Sequence, residues 1–146
     1  MKIILVRHGE SARNRGYRVA EKENNLTTEG VKQAAEIGKK LKEQNIDTVY
    51  SSPTGRCIQT LDEILRIRND KMPIHLTKLI SPKSKTESYE KLKSRVGLFL
   101  DDLKYDHKKE EMIVVVSHQL VIAMIILQLT GNTRRLENGE LFEIIL

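Results

Sequence analysis

An α/β fold is predicted by this sequence: a three-layer α/β/α sandwich with a mostly parallel central sheet. Three observations predict it. The runs Ile3 to Val6 and Met112 to Val116 are apolar on both faces, as strands covered by helices on each side must be. Helical spacings of three and four residues alternate with strand-like runs along the chain. No internal repeat, low-complexity stretch or Pro- and Gly-rich linker interrupts this alternation, so residues 1–146 are expected to form one domain.

Taken in order, Ile3 to Val6 predicts the first strand. Val31, Ala34, Ala35, Gly38 and Leu41 then recur at helical steps, with Thr27 or Thr28 available as N-cap. Ile46 to Tyr50 predicts a second strand. Ile58, Leu61, Ile64 and Leu65 predict a second helix, and Pro53, whose ring presets φ, suits its start. Pro73 to Leu76 predicts a short strand, and Tyr89, Leu92, Val96, Phe99 and Leu103 a third amphipathic helix. After the strand at Met112 to Val116, the segment Leu120 to Leu129 is apolar nearly all round and predicts a helix buried under the sheet. Leu141 to Leu146 predicts the last strand. In a sheet of this kind ligands bind outside the carboxyl ends of the strands, where His8 and His118 both fall.

Composition narrows the partners. Hydrophobic residues make up 39% and charged residues 31%, which excludes a wholly disordered chain. The 25 basic and 20 acidic residues leave a net charge of +5 and favour anionic partners. Lys and Glu are interleaved, aromatics are only 4% and Trp is absent, so the basic stripe with stacking rings of a nucleic-acid binder is missing. The clusters Lys83-Ser84-Lys85 and His107-Lys108-Lys109 read as solvated surface. The longest apolar run, Leu120 to Leu127, falls short of the roughly 20 residues of a membrane span, and Met1 to Val6 runs into Arg7 without a cleavage site. A full-length cytoplasmic protein without a membrane partner is therefore expected. Cys57 is alone, and no histidine pair has the local spacing of metal ligands, so neither disulfide nor metal is expected. No pattern specifies the oligomeric state.

The chemistry lies at the strand ends. Arg7-His8-Gly9-Glu10-Ser11, with Asn14 three residues further on, resembles the signature of the histidine phosphatase superfamily, also called the phosphoglycerate-mutase-like family. Three more segments follow in that family's order. Leu26-Thr27-Thr28-Glu29-Gly30 resembles its Leu-Thr-x-x-Gly helix start. Ser51-Ser52-Pro53-Thr54-Gly55-Arg56-Cys57-Ile58-Gln59-Thr60 resembles its Ser-Ser-Pro-x-x-Arg-x-x-Gln-Thr block, and Val116-Ser117-His118 its second histidine. The resemblance runs from Met1 to about Gly131, with Glu137 to Leu146 fitting the last strand loosely.

That resemblance implies a phosphoglycerate-mutase-like sandwich and a cofactor-independent phosphatase that works through a phosphohistidine on His8. A phosphoryl group spreads its charge over three oxygens, so catalysis is mostly positioning and electrostatic stabilisation. By resemblance, His8 attacks through an unprotonated nitrogen while a backbone carbonyl holds the other one. Gly9 permits close backbone approach. Arg7 and Arg56 offer planar forks of donors, and His118 is protonated and stabilises developing charge. Asn14 donates its amide to the same oxygens, and the Gln119 backbone amide faces them. Ser51 and Ser52 end a strand, with one hydroxyl near the phosphate. Thr27, Gly30, His75 and His107 read as structural, and Cys57 as packing rather than a thiolate.

The chain also departs from the family. Members that act on alkyl phosphates carry a glutamate after the third strand that protonates the departing oxygen, and Leu76 to Lys85 contains no acid. The acid-phosphatase branch places an aspartate after the second histidine, where this chain has Gln119, which is no proton donor of that kind. Glu10, Glu87 and Glu90 are the candidate acids, should a loop fold over the site. General acid help is typically worth ~10²–10⁴-fold, so a site without it favours easy leaving groups. Protein phosphohistidine, with its labile P–N bond, therefore joins small phosphate monoesters as an expected substrate. The chain resembles the short phosphohistidine phosphatases in size, in Leu-Thr-Thr-x-Gly and in the missing acid. Lys78 to Lys85 is a candidate lid. The expected partners are a phosphorylated small molecule or a phosphoprotein. The alternatives are a catalytically weak phosphate-binding regulatory protein and, with less support, a phosphoglycerate mutase, whose substrate carboxylate has no identifiable contact.

Overall fold

The computed structural model describes residues 1–146. Its five strands are β1 (Lys2–Arg7), β2 (Thr48–Ser51), β3 (Ile74–Leu76), β4 (Met112–Ser117) and β5 (Leu141–Ile145). They form one sheet in the order β3-β2-β4-β1-β5. Every neighbouring pair is parallel except β1 with β5, which is antiparallel. The helices are α1 (Thr28–Leu41), α2 (Gly55–Arg68), α3 (Tyr89–Asp106) and α4 (Gln119–Thr130). No helix is long and apolar enough to cross a membrane.

Strand alternation builds two cores from one sheet, because successive side chains point to opposite faces. Ile4, Val6, Val114 and Val116 face α1 and α2 and pack with Ile37, Leu41, Leu61 and Ile64. Ile3, Leu5, Ile113 and Val115 face α3 and α4 and pack with Val96, Phe99, Ile122 and Ile125. Being apolar on both faces, β1 and β4 sit adjacent in the sheet interior, while β3 lies at an edge with all three residues exposed.

Some boundaries differ from the sequence reading. Thr27 is the N-cap of α1, and its side chain accepts the Gly30 amide at 3.1 Å. Pro53 precedes the extended N-cap Thr54 of α2 rather than opening the helix. Pro73 lies outside β3, contributing its carbonyl to Val49 (2.9 Å) but having no N–H of its own. The expected burial of α4 is corrected: Val121, Ile122, Ile125 and Ile126 are buried, but Leu127 is 40% exposed. The helix lies in an outer layer and has only one neighbouring face to fill.

Candidate active site

The parallel register pairs Arg7 with Ser117, so the residues that follow, His8 and His118, emerge side by side. The His8 amide donates to the Ser117 carbonyl at 3.2 Å, and the two imidazole centroids lie 5.2 Å apart. His118 is also the N-cap of α4. Both rings are buried.

The turn after β1 is held by backbone proximity. A Cβ on Gly9 would lie 2.4 Å from the Gly30 carbonyl oxygen, and one on Gly30 would lie 2.1 Å from the Glu10 oxygen. Only glycine at both positions lets the start of α1 meet this turn. The Gly9 amide donates to the Thr60 hydroxyl at 3.1 Å, and that hydroxyl donates to the Arg56 carbonyl at 2.8 Å. The His8 carbonyl accepts from the Gly139 amide (3.1 Å) and the Asn138 side-chain amide (3.3 Å).

These contacts define the protonation of His8. Its Nδ1 lies 2.7 Å from the Gly9 carbonyl, which can only accept, so Nδ1 carries a hydrogen. Burial lowers its pKa to about 4; the Gly9 hydrogen bond opposes this, and the Arg56 and Arg7 charges reinforce it. At neutral pH the ring is uncharged and the Nε2 lone pair is available for attack.

His118 requires a correction. The resemblance makes it a cation in the transition state, but in the free protein burial, followed by the His8, Arg56 and Arg7 charges, lowers its pKa to about 2. The hydrogen bonds agree: Arg56 Nη2, a donor only, points at Nδ1 from 3.4 Å, which leaves Nε2 to donate to Ser52 Oγ at 2.9 Å. A phosphoryl dianion placed among these cations would reverse the Coulombic part of that shift.

The two guanidiniums are placed differently. Arg56, in the first turn of α2, is buried and donates through Nη1 to Glu21 Oε1 at 2.5 Å. Arg7 donates through Nη1 to the Leu136 carbonyl at 3.0 Å, and its buried Nε has no protein acceptor. Burial lowers the Arg7 pKa, against the nearby Glu137. Asn14 Oδ1 accepts from the Ser11 amide (3.0 Å), the Ser11 hydroxyl (2.9 Å) and Asn138 (3.0 Å), which orients its NH2 group as the remaining donor. The Gln119 side chain instead braces the Leu136 carbonyl at 3.1 Å, so any role toward an anion falls to its backbone.

Neither principal acid candidate is free. Glu10 accepts the Thr27 hydroxyl at 2.7 Å and pairs with Arg15 at 3.2 Å. Glu87 is gripped by Arg95 through two bonds of 2.7 and 2.9 Å, and that hydrogen bonding holds its carboxyl below the usual range. Both expectations are corrected: Glu10 serves the start of α1, and Glu87 anchors the segment before α3. The start of the candidate lid is likewise pinned, because Ile80 is fully buried and Arg95 holds the Leu79 carbonyl at 2.8 Å. Ser81 to Lys85 then forms one wall of a cavity of about 570 Å³, opposite Arg13, Glu21, Thr54 and Arg56.

Cys57 is buried, and burial raises its thiol to about 11, as a packing residue requires; its sulfur lies 3.5 Å from His118 Nε2. His75 stacks on Tyr50 at 5.0 Å, and His107 meets the Tyr50 hydroxyl at 2.8 Å. The sequence reading missed Glu21, Arg13, Asn138 and the positioning role of Thr60. Only Thr60 carried a signal, as the last residue of the Gln-Thr block.

Two histidines and two arginines lie at the carboxyl end of the mostly parallel sheet of a phosphoglycerate-mutase-like α/β fold. The model of the histidine phosphatase superfamily (branch 1) matches residues 3–81 and 75–143. The chain belongs to that superfamily. It is 26% identical to a Schizosaccharomyces pombe protein named a probable phosphatase, over 90% of this chain and 57% of the relative, so it spans little more than half of that protein's length. Its fold matches a phosphoglycerate mutase from Bacillus anthracis with a TM-score of 0.87 at 19% identity, covering 97% of this chain and 86% of the other. It also matches a phosphoserine phosphatase from Entamoeba histolytica, solved with 3-phosphoglyceric acid, with a TM-score of 0.78 at 25% identity over 99% and 90% of the two chains.

Proposed function

We propose that this protein is a phosphatase that hydrolyses phosphate monoesters through a phosphohistidine on His8. The observation that carries the reading is the geometry of that ring: Nδ1–H is held by the Gly9 carbonyl, which leaves Nε2 unprotonated on a ring 5.2 Å from His118, itself met by the Arg56 guanidinium. In the first half-reaction the Nε2 lone pair attacks phosphorus and the ester P–O bond breaks, the leaving oxygen taking a proton. In the second, water attacks phosphorus, the N–P bond breaks and inorganic phosphate leaves. Arg7 and Arg56 stabilise the equatorial oxygens, Asn14 adds an amide donor, and His118 gains its proton as the anion arrives.

Protein phosphohistidine is the second substrate class, favoured by the commitment of Glu10 and Glu87 to structural contacts. A weak phosphate-binding regulatory protein is favoured by the carboxylate already seated on Arg56. The test is hydrolysis of p-nitrophenyl phosphate from about pH 4 to pH 9 by the wild type and His8→Ala, with rapid-quench mass spectrometry. A phospho-adduct on His8 during turnover, and activity abolished in the variant, are expected. Turnover that survives the substitution would overturn the reading; phosphate binding without turnover in either protein would establish the regulatory alternative.

A further inference from the structure

Glu21 is the one carboxylate lining the cavity between Arg56 and the segment Ser81 to Lys85; the other charged residues there, Arg13, Arg56, Lys83 and Lys85, are all basic. Its two oxygens are divided between two guanidiniums: Oε1 accepts from Arg56 at 2.5 Å and Oε2 from Arg13 at 2.8 Å. The side chains differ sharply in exposure, 9% for Arg56 and 53% for Glu21. The cation is therefore fixed in the pocket, and the carboxylate reaches it from the mouth. Glu21 opens a 3-10 turn, Glu21–Glu23, whose next residue, Asn24, is buried and accepts the Arg13 amide at 2.8 Å. The backbone is anchored, and the half-exposed side chain is held only by these two ion pairs, which a competing anion can exchange.

We propose that Glu21 is the general acid for the leaving group, and that the substrate itself arms it by displacing it from Arg56. This deepens the phosphatase reading and rests on it. Arg56 is the donor that a phosphoryl oxygen would take, so the Glu21 carboxylate occupies an oxygen position next to the reacting phosphorus, on the side open to solvent. In the free protein the Arg56 hydrogen bond holds Glu21 below the usual carboxylate range. A bound phosphoryl dianion takes over that guanidinium and adds like charge beside the displaced carboxylate, and both changes favour its protonated form. The proton comes from solvent or from a monoanionic substrate.

The step then balances. As His8 Nε2 bonds to phosphorus, the ester P–O bond breaks and the Glu21 O–H proton passes to the leaving oxygen. The carboxylate so formed takes a proton from the water that cleaves the N–P bond, which regenerates the acid. Release of phosphate returns Glu21 to Arg56. An acid so placed extends the substrate class to alkyl phosphates, whose alkoxides leave poorly without one.

The test compares kcat/KM, which reports the first half-reaction, for wild type, Glu21→Gln and Glu21→Asp on p-nitrophenyl phosphate and glycerol 3-phosphate. Glu21→Gln is expected to lose ~10²–10⁴-fold on the alkyl ester and to stay within about tenfold of wild type on the aryl ester. The basic limb of the kcat profile on the alkyl ester, which reports groups of the enzyme–substrate complex, should vanish with it, and Glu21→Asp should restore part of both. Equal losses on the two esters, an unchanged alkyl rate, a retained basic limb, or a wild type active only on the aryl ester would overturn the role of Glu21 and leave the phosphatase reading intact. A wild type inactive on p-nitrophenyl phosphate, or a His8→Ala variant as active as wild type, would instead overturn the phosphatase reading and this role with it.

Discussion

The buried floor of the site and the charged rim beside it are held by different forces. On the floor, His8, Gly9 and His118 are buried, and the contacts that fix them come from backbone groups or neutral side chains: the Gly9 carbonyl, the Thr60 hydroxyl, the Gly139 amide and the Ser52 hydroxyl. On the rim, Arg13 and Glu21 are about half exposed and are held by an ion pair of 2.8 Å, and Lys83 lies 4.9 Å over the Tyr89 ring. Short, directional bonds in a dry site permit one geometry, whereas exposed charges exchange partners at little cost. A dry, fixed imidazole pair thus lies beside a carboxylate held only by ion pairs at the surface. Arg56 belongs to both regions: its buried guanidinium is fixed on the floor, and its partner comes from the rim.

Substituting that shared cation gives the largest expected effect. Arg56→Lys keeps the charge but loses the planar fork, and should lower kcat on p-nitrophenyl phosphate by ~10²–10³-fold. Arg13→Lys on the rim should change kcat/KM by no more than about fivefold. Similar losses in the two variants would break the distinction between floor and rim.

Acid stability tests the floor next. The His8 pKa is about 4 in the folded protein against 6.5 for the free side chain, so below 6.5 the unfolded chain takes a proton that the native ring refuses. The stabilisation is complete above pH 6.5 and is lost as pH falls toward 4, about 3 kcal/mol for His8 alone. Urea unfolding at several pH values should show a shallower slope over this window in His8→Gln. Carboxylates held low by partners, Glu21 and Glu87 among them, lose their contribution only below the ordinary carboxylate range. An unchanged slope in His8→Gln would mean that the ring is not held neutral by burial.

These two tests also mark what sequence made legible. Arg7, His8, Arg56 and His118 were legible as candidates because Arg7-His8-Gly9-Glu10-Ser11, Ser51 to Thr60 and Val116-Ser117-His118 resemble the motifs of a known family, and parallel pairing of β1 with β4 brings two of those segments together. The layers followed from runs apolar on both faces, and Gly30 was rightly read as structural. The charge on His118 was not legible, because it depends on burial and on cations from β1 and α2 that no local pattern reveals. Glu21 lies 35 residues from Arg56 in a stretch without periodicity, and Asn138 lies 130 residues from His8. The commitment of Glu87 to Arg95 likewise needs the geometry of a loop folded onto α3. Chemistry-bearing types can be read from order along the chain, whereas the partner of each charge is a property of the assembled surface.

Backbone packing beneath the floor should respond more than a similar position near the rim. Gly30→Ala places a Cβ 2.1 Å from the Glu10 carbonyl oxygen, a backbone atom that can yield only by moving the turn beside His8. Overpacking of this kind costs about 1–3 kcal/mol. Gly55→Ala, at the start of α2, meets only the Asn25 side chain at 3.5 Å and should be close to neutral. Denaturation midpoints of the two variants measure the difference, and equal midpoints would show that the turn after β1 is as yielding as the start of α2.

The smallest effect belongs to the rim lysines, and it is diagnostic because it depends on salt. Lys83 and Lys85 line the cavity wall opposite Arg13, where they raise the local concentration of an anion without fixing its geometry. Exposed charges of this kind are worth at most about 1 kcal/mol and are screened beyond roughly 8 Å at physiological ionic strength. Replacing both with alanine should therefore raise KM for p-nitrophenyl phosphate by up to about fivefold at low salt and leave kcat alone. At about 1 M salt the Debye length falls to roughly 3 Å, and the variant and wild type should converge. A fall in kcat that persists at high salt would place these lysines in direct contact with the reacting phosphoryl group. The wall built by Ser81 to Lys85 would then belong with Arg56 on the floor, and the boundary between the two regions would have to be moved outward.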